Sequence, residues 1–228
     1  MAYYWIEDKT FLSSVKSCCS DIVNQLVQSI NQEGVMEVKQ HLVGSGAKNL
    51  ITQNADEPID LDYNLKIIDS GGIPIDECRK IKEYVREKFD EILGLVGWDN
   101  CQDSTSALTT KRYSFKKGNP TPFSIDLCIV RTDINGNWYR LIHEKTGFVQ
   151  WDRYYWNEAR HSKGLEKRID WLKENDCWLE VRDTYLQKKN TYLSRNDQNH
   201  PSFIVYIEAV NEVYYKYNGG NPYVRSFY

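Results

Sequence analysis

Residues 59–65 read Ile-Asp-Leu-Asp-Tyr-Asn-Leu, an alternation of apolar and polar side chains with a period of two. That period belongs to a strand, which sends successive side chains to opposite faces. Asp60 and Asp62 therefore project from one face. The segment is too apolar, through Ile59, Leu61, Tyr63 and Leu65, to be an exposed rim. A second apolar run, Phe123-Ser-Ile-Asp-Leu-Cys-Ile129, is interrupted by Asp126. A carboxylate inside such a run needs a cationic group to compensate it. A cluster of this kind is what divalent ions require when they hold nucleotide phosphates beside an attacking hydroxyl.

The 228 residues are 41% apolar, enough for a sizeable interior in one large domain or a core with an appended lobe. A net charge of −3 with both signs interspersed excludes a whole-molecule field for nucleic acid or membrane, so any basic site is local. No apolar run approaches the length that spans a bilayer, and the opening residues Met-Ala-Tyr-Tyr-Trp-Ile-Glu-Asp-Lys lack the pattern of a signal peptide. The expected location is the cytoplasm, with no membrane partner. Six scattered cysteines, with no C-x-x-C pair, read as reduced packing residues.

Helical periodicity runs from Asp8, which with Thr10 is a candidate cap, to Gly34. Residues 35–43 read as a strand that stops at Gly44-Ser45, and 47–52 as a short helix. The Asp-bearing strand covers 59–68, and a second long helix starts near Pro74 and ends at Gly97. Strands are expected over 106–115, 121–131 and 138–144, running as an antiparallel meander. An aromatic connector, Trp151–Trp156, leads to helices near 161–175, 177–194 and 202–217. The expected fold class is α+β: a mixed β-sheet core flanked by helices over residues 1–145, and a helical lobe over 146–228 packed on it across a cleft.

Gly44-Ser45-Gly46 lies between the first strand and the short helix. It reads as a simple turn, or as a cradle whose glycines let the backbone approach a triphosphate that the Ser45 hydroxyl and helix N–H groups hold. It is not a P-loop, because G-x-x-x-x-G-K-[ST] is absent. Nor is Asp60-x-Asp62-x-Asn64 an EF-hand, since Leu65 and Gly71 occupy the positions that need Gly and Glu.

In this order, Gly44-Ser45, Asp60-x-Asp62 and Asp126 resemble the polymerase-beta-like nucleotidyltransferase superfamily across roughly residues 35–131. The resemblance implies transfer of a nucleoside monophosphate from an NTP, most naturally ATP, to a hydroxyl acceptor. Gly44 and Ser45 would bind phosphates, Asp60 and Asp62 would hold Mg2+ (or Mn2+), and Asp126 would share the catalytic ion and help deprotonate the acceptor. Acceptors in the superfamily range over small molecules, proteins, RNA ends and a second nucleotide, and a protein partner is compatible with activity.

Cations for the triphosphate are on offer at Lys163, Lys167 and Arg168, where a solvated helix face explains the spacing equally well. Lys111–Lys117 would guide an acceptor or form a charged hairpin. Among Tyr154, Tyr155 and Trp156 one ring, assigned to Tyr155, would stack a base, the others serving as interface core. His143, His161 and His200 show no ligand spacing. Two rivals remain: a glycosyltransferase, which would lack the Gly-Ser turn, and a degenerate relative that binds nucleotide, RNA or a toxin partner without catalysis.

Overall fold

The computed structural model describes residues 2–55, 57–159, 164–197, 200 and 202–219. In chain order the first elements are β1 (Tyr3–Trp5), α1 (Lys9–Glu33), β2 (Glu37–Leu42), α2 (Gly44–Lys48), β3 (Thr52–Asn54), β4 (Ile59–Asp69) and α3 (Cys78–Leu95). They are followed by β5 (Gln102–Asp103), β6 (Leu108–Thr109), β7 (Phe123–Thr132), β8 (Trp138–Glu144), a 3-10 turn (Val149–Trp151), β9 (Arg153–Glu158), α4 (Leu165–Glu174), α5 (Trp178–Ser194) and α6 (Ser202–Asn218). The fold is mixed α+β, with a central mixed sheet flanked by helices and a C-terminal helical lobe of α4, α5 and α6.

Two units partition the chain: Ile6–Ile51 with Asp56–Ala159, and Met1–Trp5 with Thr52–Ala55 and Arg160–Tyr228. In the sheet unit, Asp8 caps α1 by accepting from the Phe11 N–H at 2.9 Å, and Gly34 ends it in the left-handed region at φ +70°. The apolar stripes of α1 (Phe11, Val15, Cys19, Ile22, Val23, Leu26, Ile30) and α3 (Ile81, Val85, Phe89, Ile92) pack with the odd-numbered residues of β4 and β7 in one core.

Strand order is β2-β4-β7-β6-β5, and β8 also pairs β7 and carries β9 beyond it. Strand β4 runs antiparallel to β2 and parallel to β7, the crossover containing α3. One edge of β7 is taken by β4 along residues 123–130. The other is shared end to end, β6 pairing Asp126 and Leu127 and β8 pairing residues 130–132.

Four local expectations need correction. The short helix begins at Gly44 rather than 47 and ends at Lys48, so the Gly-Ser-Gly triplet forms its first turn. The strand expected over 106–115 shrinks to Leu108–Thr109, with an isolated bridge from Tyr113 to Phe123. The aromatic segment expected as a connector is strand β9, paired with β8 over six residues. Pro74 lies in a turn before α3, its carbonyl accepting from the Glu77 N–H at 2.9 Å.

The other unit holds the β1–β3 ribbon and α4–α6. The ribbon is pinned to α5 by Asn190, which accepts from the Tyr3 N–H at 2.6 Å and donates to its carbonyl at 3.0 Å. Leu172, Val181, Tyr185, Val205, Ala209 and Val210 form its buried contacts. All six cysteines are free, four of them buried. No described helix is long and apolar enough to cross a membrane.

Candidate active site

The even-numbered residues of β4 and β7 occupy the sheet face opposite α1 and α3. Parallel register sets Asp60 beside Ser124 and Asp62 beside Asp126. Thr109 of β6 stands opposite Asp126 on its other side. Adjacent strands are about 4.8 Å apart, so three carboxylates share one small area. The Ser124 hydroxyl donates to Asp60 Oδ1, and the Thr109 hydroxyl donates to Asp126 Oδ1 at 2.5 Å.

Burial pushes the Asp62 carboxyl up to about 6, with the charges of Asp126 and Asp60 adding to the rise and those of Arg140 and Lys48 opposing it. Burial also raises Asp126, against the lowering effect of the Thr109 hydrogen bond, and the Asp60 charge adds to the rise. The face thus concentrates negative charge that its own cations do not neutralise. Oxygen-only donors of this kind suit a hard divalent cation such as magnesium. Among the described residues no group of three or more His, Cys, Asp or Glu side chains is arranged around a single point as a metal cage. One oxygen each of Asp60 and Asp126 is occupied by a hydroxyl.

Beside Asp62 the chain turns from β2 into α2. The Val43 N–H donates to the Asp62 carbonyl at 2.8 Å, fixing the turn against β4. Gly44 has φ +62°, and a Cβ there would collide with the Asp62 carboxylate. At Gly46 a Cβ would meet Leu61 Cδ2 at 2.9 Å and Leu42 Cδ1 at 3.2 Å. The two glycines therefore let a helix start directly against the carboxylate, with first-turn N–H groups free of intrahelical partners. Val43, at the cap position, offers no side-chain bond to them.

Of the three adjacent aromatics, Tyr154 stacks on His143 with centroids 4.0 Å apart, and the Trp156 indole N–H donates to the Ile75 carbonyl at 2.7 Å. Tyr155, 41% exposed, pairs with Ile142 and shares the carboxylate face. Gly44, Ser45, Asp60, Asp62, Asp126 and Tyr155 all belong to the sheet unit. Lys167 is exposed on α4 of the other unit, which also carries Arg168. Lys163 and His161 lie outside the described residues.

Sequence reading missed Ser124, Thr109 and Arg140, which reach the site only through strand pairing. It also missed a transverse row on the same face: Lys39 opposite Lys66, Lys66 beside Val130, Val130 opposite Arg140, and Arg140 opposite Asn157. The row lies four residues beyond Asp62 on β4, about 13 Å along the strand.

No protein-family model and no curated protein sequence matches the chain. Solved structures do. CdnC of E. coli MS115-1, in its complex with HORMA-deltaN, matches with a TM-score of 0.59 and 17% identity over 94% of this chain and 61% of that one. The Vibrio cholerae DncV cyclic AMP-GMP synthase, in complex with the linear intermediate 5' pppA(3',5')pG, gives 0.52 and 13% over 84% and 48%. The Elizabethkingia meningoseptica CdnE cyclic dinucleotide synthase, with GTP and Apcpp, gives 0.51 and 11% over 91% and 74%. The chain thus spans less than two thirds of the CdnC and DncV chains it matches. These likenesses establish that the chain shares the fold of those structures.

Proposed function

We propose that this chain, built on the nucleotidyltransferase fold, transfers a nucleoside monophosphate from an NTP, with ATP the first candidate, to a hydroxyl of a phosphate-bearing acceptor. The observation that carries the reading is the meeting of Asp60, Asp62 and Asp126 on one face beside the glycine-opened start of α2. These three side chains would hold magnesium or manganese, which when bound supplies charge neutralisation for the triphosphate and the departing pyrophosphate.

The remaining chemistry falls to the chain itself. The acceptor oxygen forms a bond to the α-phosphorus while the bond to the pyrophosphate oxygen breaks. Ser45 and the first N–H groups of α2 hold the donor phosphates. Asp126, with its carboxyl raised by burial and one oxygen fixed by Thr109, takes the acceptor's proton through the other oxygen. Tyr155 stacks a base.

A phosphate-bearing acceptor is supported by the row of Lys39, Lys66 and Arg140. Like charges directly opposite on paired strands, as Lys39 and Lys66 are, destabilise a sheet unless an anion joins them. The likeness to the CdnE cyclic dinucleotide synthase and the DncV cyclic AMP-GMP synthase supports a second nucleotide as that acceptor, and the complex of CdnC with HORMA-deltaN supports a search for a protein partner.

The test is incubation with each α-labelled NTP, alone and in pairs, with Mg2+ or Mn2+, with products resolved by mass spectrometry. The expected result is a labelled adduct and pyrophosphate from the wild type, and at least a 1,000-fold lower rate from Asp60→Ala/Asp62→Ala, on the order expected for losing transition-state charge stabilisation. Metal-dependent NTP binding without turnover of any acceptor would turn the reading toward a binding module.

A further inference from the structure

His143, 5% exposed on β8, points to the sheet face opposite the carboxylates and has an Asp at each ring nitrogen. Nδ1 lies 2.8 Å from Asp103 Oδ2, and Nε2 lies 3.0 Å from Asp152 Oδ2. The other oxygen of Asp103 meets the Lys82 ammonium of α3 at 2.6 Å, and Lys82 also donates to the Ser104 carbonyl at 2.7 Å. Lys145 donates to the Asp103 carbonyl, and the His143 N–H donates to the Thr105 carbonyl at 2.7 Å. Asp152 accepts from the Thr146 N–H at 2.8 Å, and Tyr154 covers the imidazole face. Two cationic side chains, an imidazole and two carboxylates are thus spent on one buried junction, outside the candidate site.

Every one of these bonds to residues 103–105 grips the turn between β5 and β6. Strand β6 is two residues long and pairs Leu108 with Leu127 and Thr109 with Asp126; beyond it the Thr110 N–H donates to the Ile125 carbonyl at 2.9 Å, the Ile125 N–H donates to the Thr110 hydroxyl at 2.9 Å, and Tyr113 bridges Phe123. Those bonds hold the end of β6 that leads on to Tyr113, while at the end that leaves the β5–β6 turn the Thr105 carbonyl accepts from the His143 backbone N–H. Strand β6 is also the strand that delivers the Thr109 hydroxyl to Asp126. The junction lies where the edge of β7 passes from β6 to β8, and β8 carries Arg140, whose charge acts on Asp62.

We propose that His143 is a positioning residue: held between Asp103 and Asp152, it locks the β5–β6 turn to β8 and thereby sets the Thr109 hydroxyl that orients Asp126. It touches none of the reacting groups. The inference rests on the function proposed above only for what the carboxylates bind.

The experiment pairs two readouts on the full chain. Hydrogen–deuterium exchange is measured on wild type, His143→Gln and Asp152→Asn, the last keeping the junction testable should the histidine variant fold poorly. Manganese affinity is measured by calorimetry, with a non-hydrolysable ATP analogue, on wild type, His143→Gln, Thr109→Val and the double variant.

Exchange over residues 102–110 is expected to rise about tenfold in either junction variant, with α1 unchanged. Manganese binding should weaken about tenfold in each single variant, and no further in the double variant, because both act through one hydroxyl. Unchanged exchange over 102–110, or additive losses in the double variant, would overturn the proposal. If the wild type binds no manganese, the functional reading falls, and exchange over 102–110 alone decides whether His143 locks the turn.

Discussion

Strands β4 and β7 present two faces built by opposite rules from the same residues in alternation. On the helix side Leu61, Tyr63, Leu65, Ile125 and Leu127 are all 0% exposed and packed by α1 and α3. On the other side the same strands carry Asp60, Asp62, Asn64, Lys66, Ser124 and Asp126. Stability is made on the odd positions and put at risk on the even ones, where carboxylates are crowded together. The period of two lets each set change without displacing the other. A face of crowded carboxylates is tolerated because its backbone is already held from behind.

Substitutions on the two faces should therefore have opposite signs. Leu65→Ala, on the packed face, is expected to cost about 3 kcal/mol of unfolding free energy, read by urea denaturation, with metal-dependent NTP binding retained below the transition. A loss under 1 kcal/mol would mean the packed face is not what holds β4.

Asp62→Asn should stabilise the empty protein. Its carboxyl titrates near 6 in the folded chain against 3.8 ordinarily, so the folded state holds that proton more tightly than the unfolded one. Wild-type stability is then lost as pH rises through that interval, and the Asn variant escapes the loss. The expected gain is about 1–2 kcal/mol above pH 6.5 and close to none below pH 4, seen in melts across pH. Excess magnesium should close the gap from the wild-type side. A variant less stable than wild type at pH 7.5 would break the comparison.

The smallest effect belongs to the cation row. Lys66→Ala should move stability by no more than about 0.5 kcal/mol, with a slight gain as the opposition to Lys39 is relieved. The same change should weaken a phosphate-bearing acceptor several-fold relative to its dephosphorylated form. Equal affinities for the two would remove the row from the site.

Much of this contrast was legible in the chain. Alternation over 59–65 set β4 and the shared face of Asp60 and Asp62, and the caps at Asp8 and Gly34 bounded α1. What stayed hidden is what pairing alone creates. Nothing near Ser124, Thr109 or Arg140 announces the particular carboxylate each one meets, because their partners lie across strands. Strand β9 was obscured by Tyr154-Tyr155-Trp156, where consecutive aromatics mask an alternation that burial nevertheless follows. Thr109 was placed on a strand, but the length of that strand was overestimated, since Lys111, Arg112 and the residues after them leave the ladder for the bridge at Tyr113. The histidine without ligand spacing found its partners at sequence distances of 40 and 9 residues, the first beyond any motif window.

The divided edge of β7 has a consequence for how the chain avoids self-association. Phe123–Val130 is apolar at all but Ser124 and Asp126 and, left with an open side, would present unpaired N–H and C=O groups to any extended segment it met. Here β6 and β8 cover that side in succession. On that side the outermost strands are then β5, two residues long, and β9, which has Arg153 and Glu158 at its ends. A fragment ending before Trp138 would uncover the most adhesive strand of the sheet, so truncation there should yield aggregates rather than a smaller soluble core.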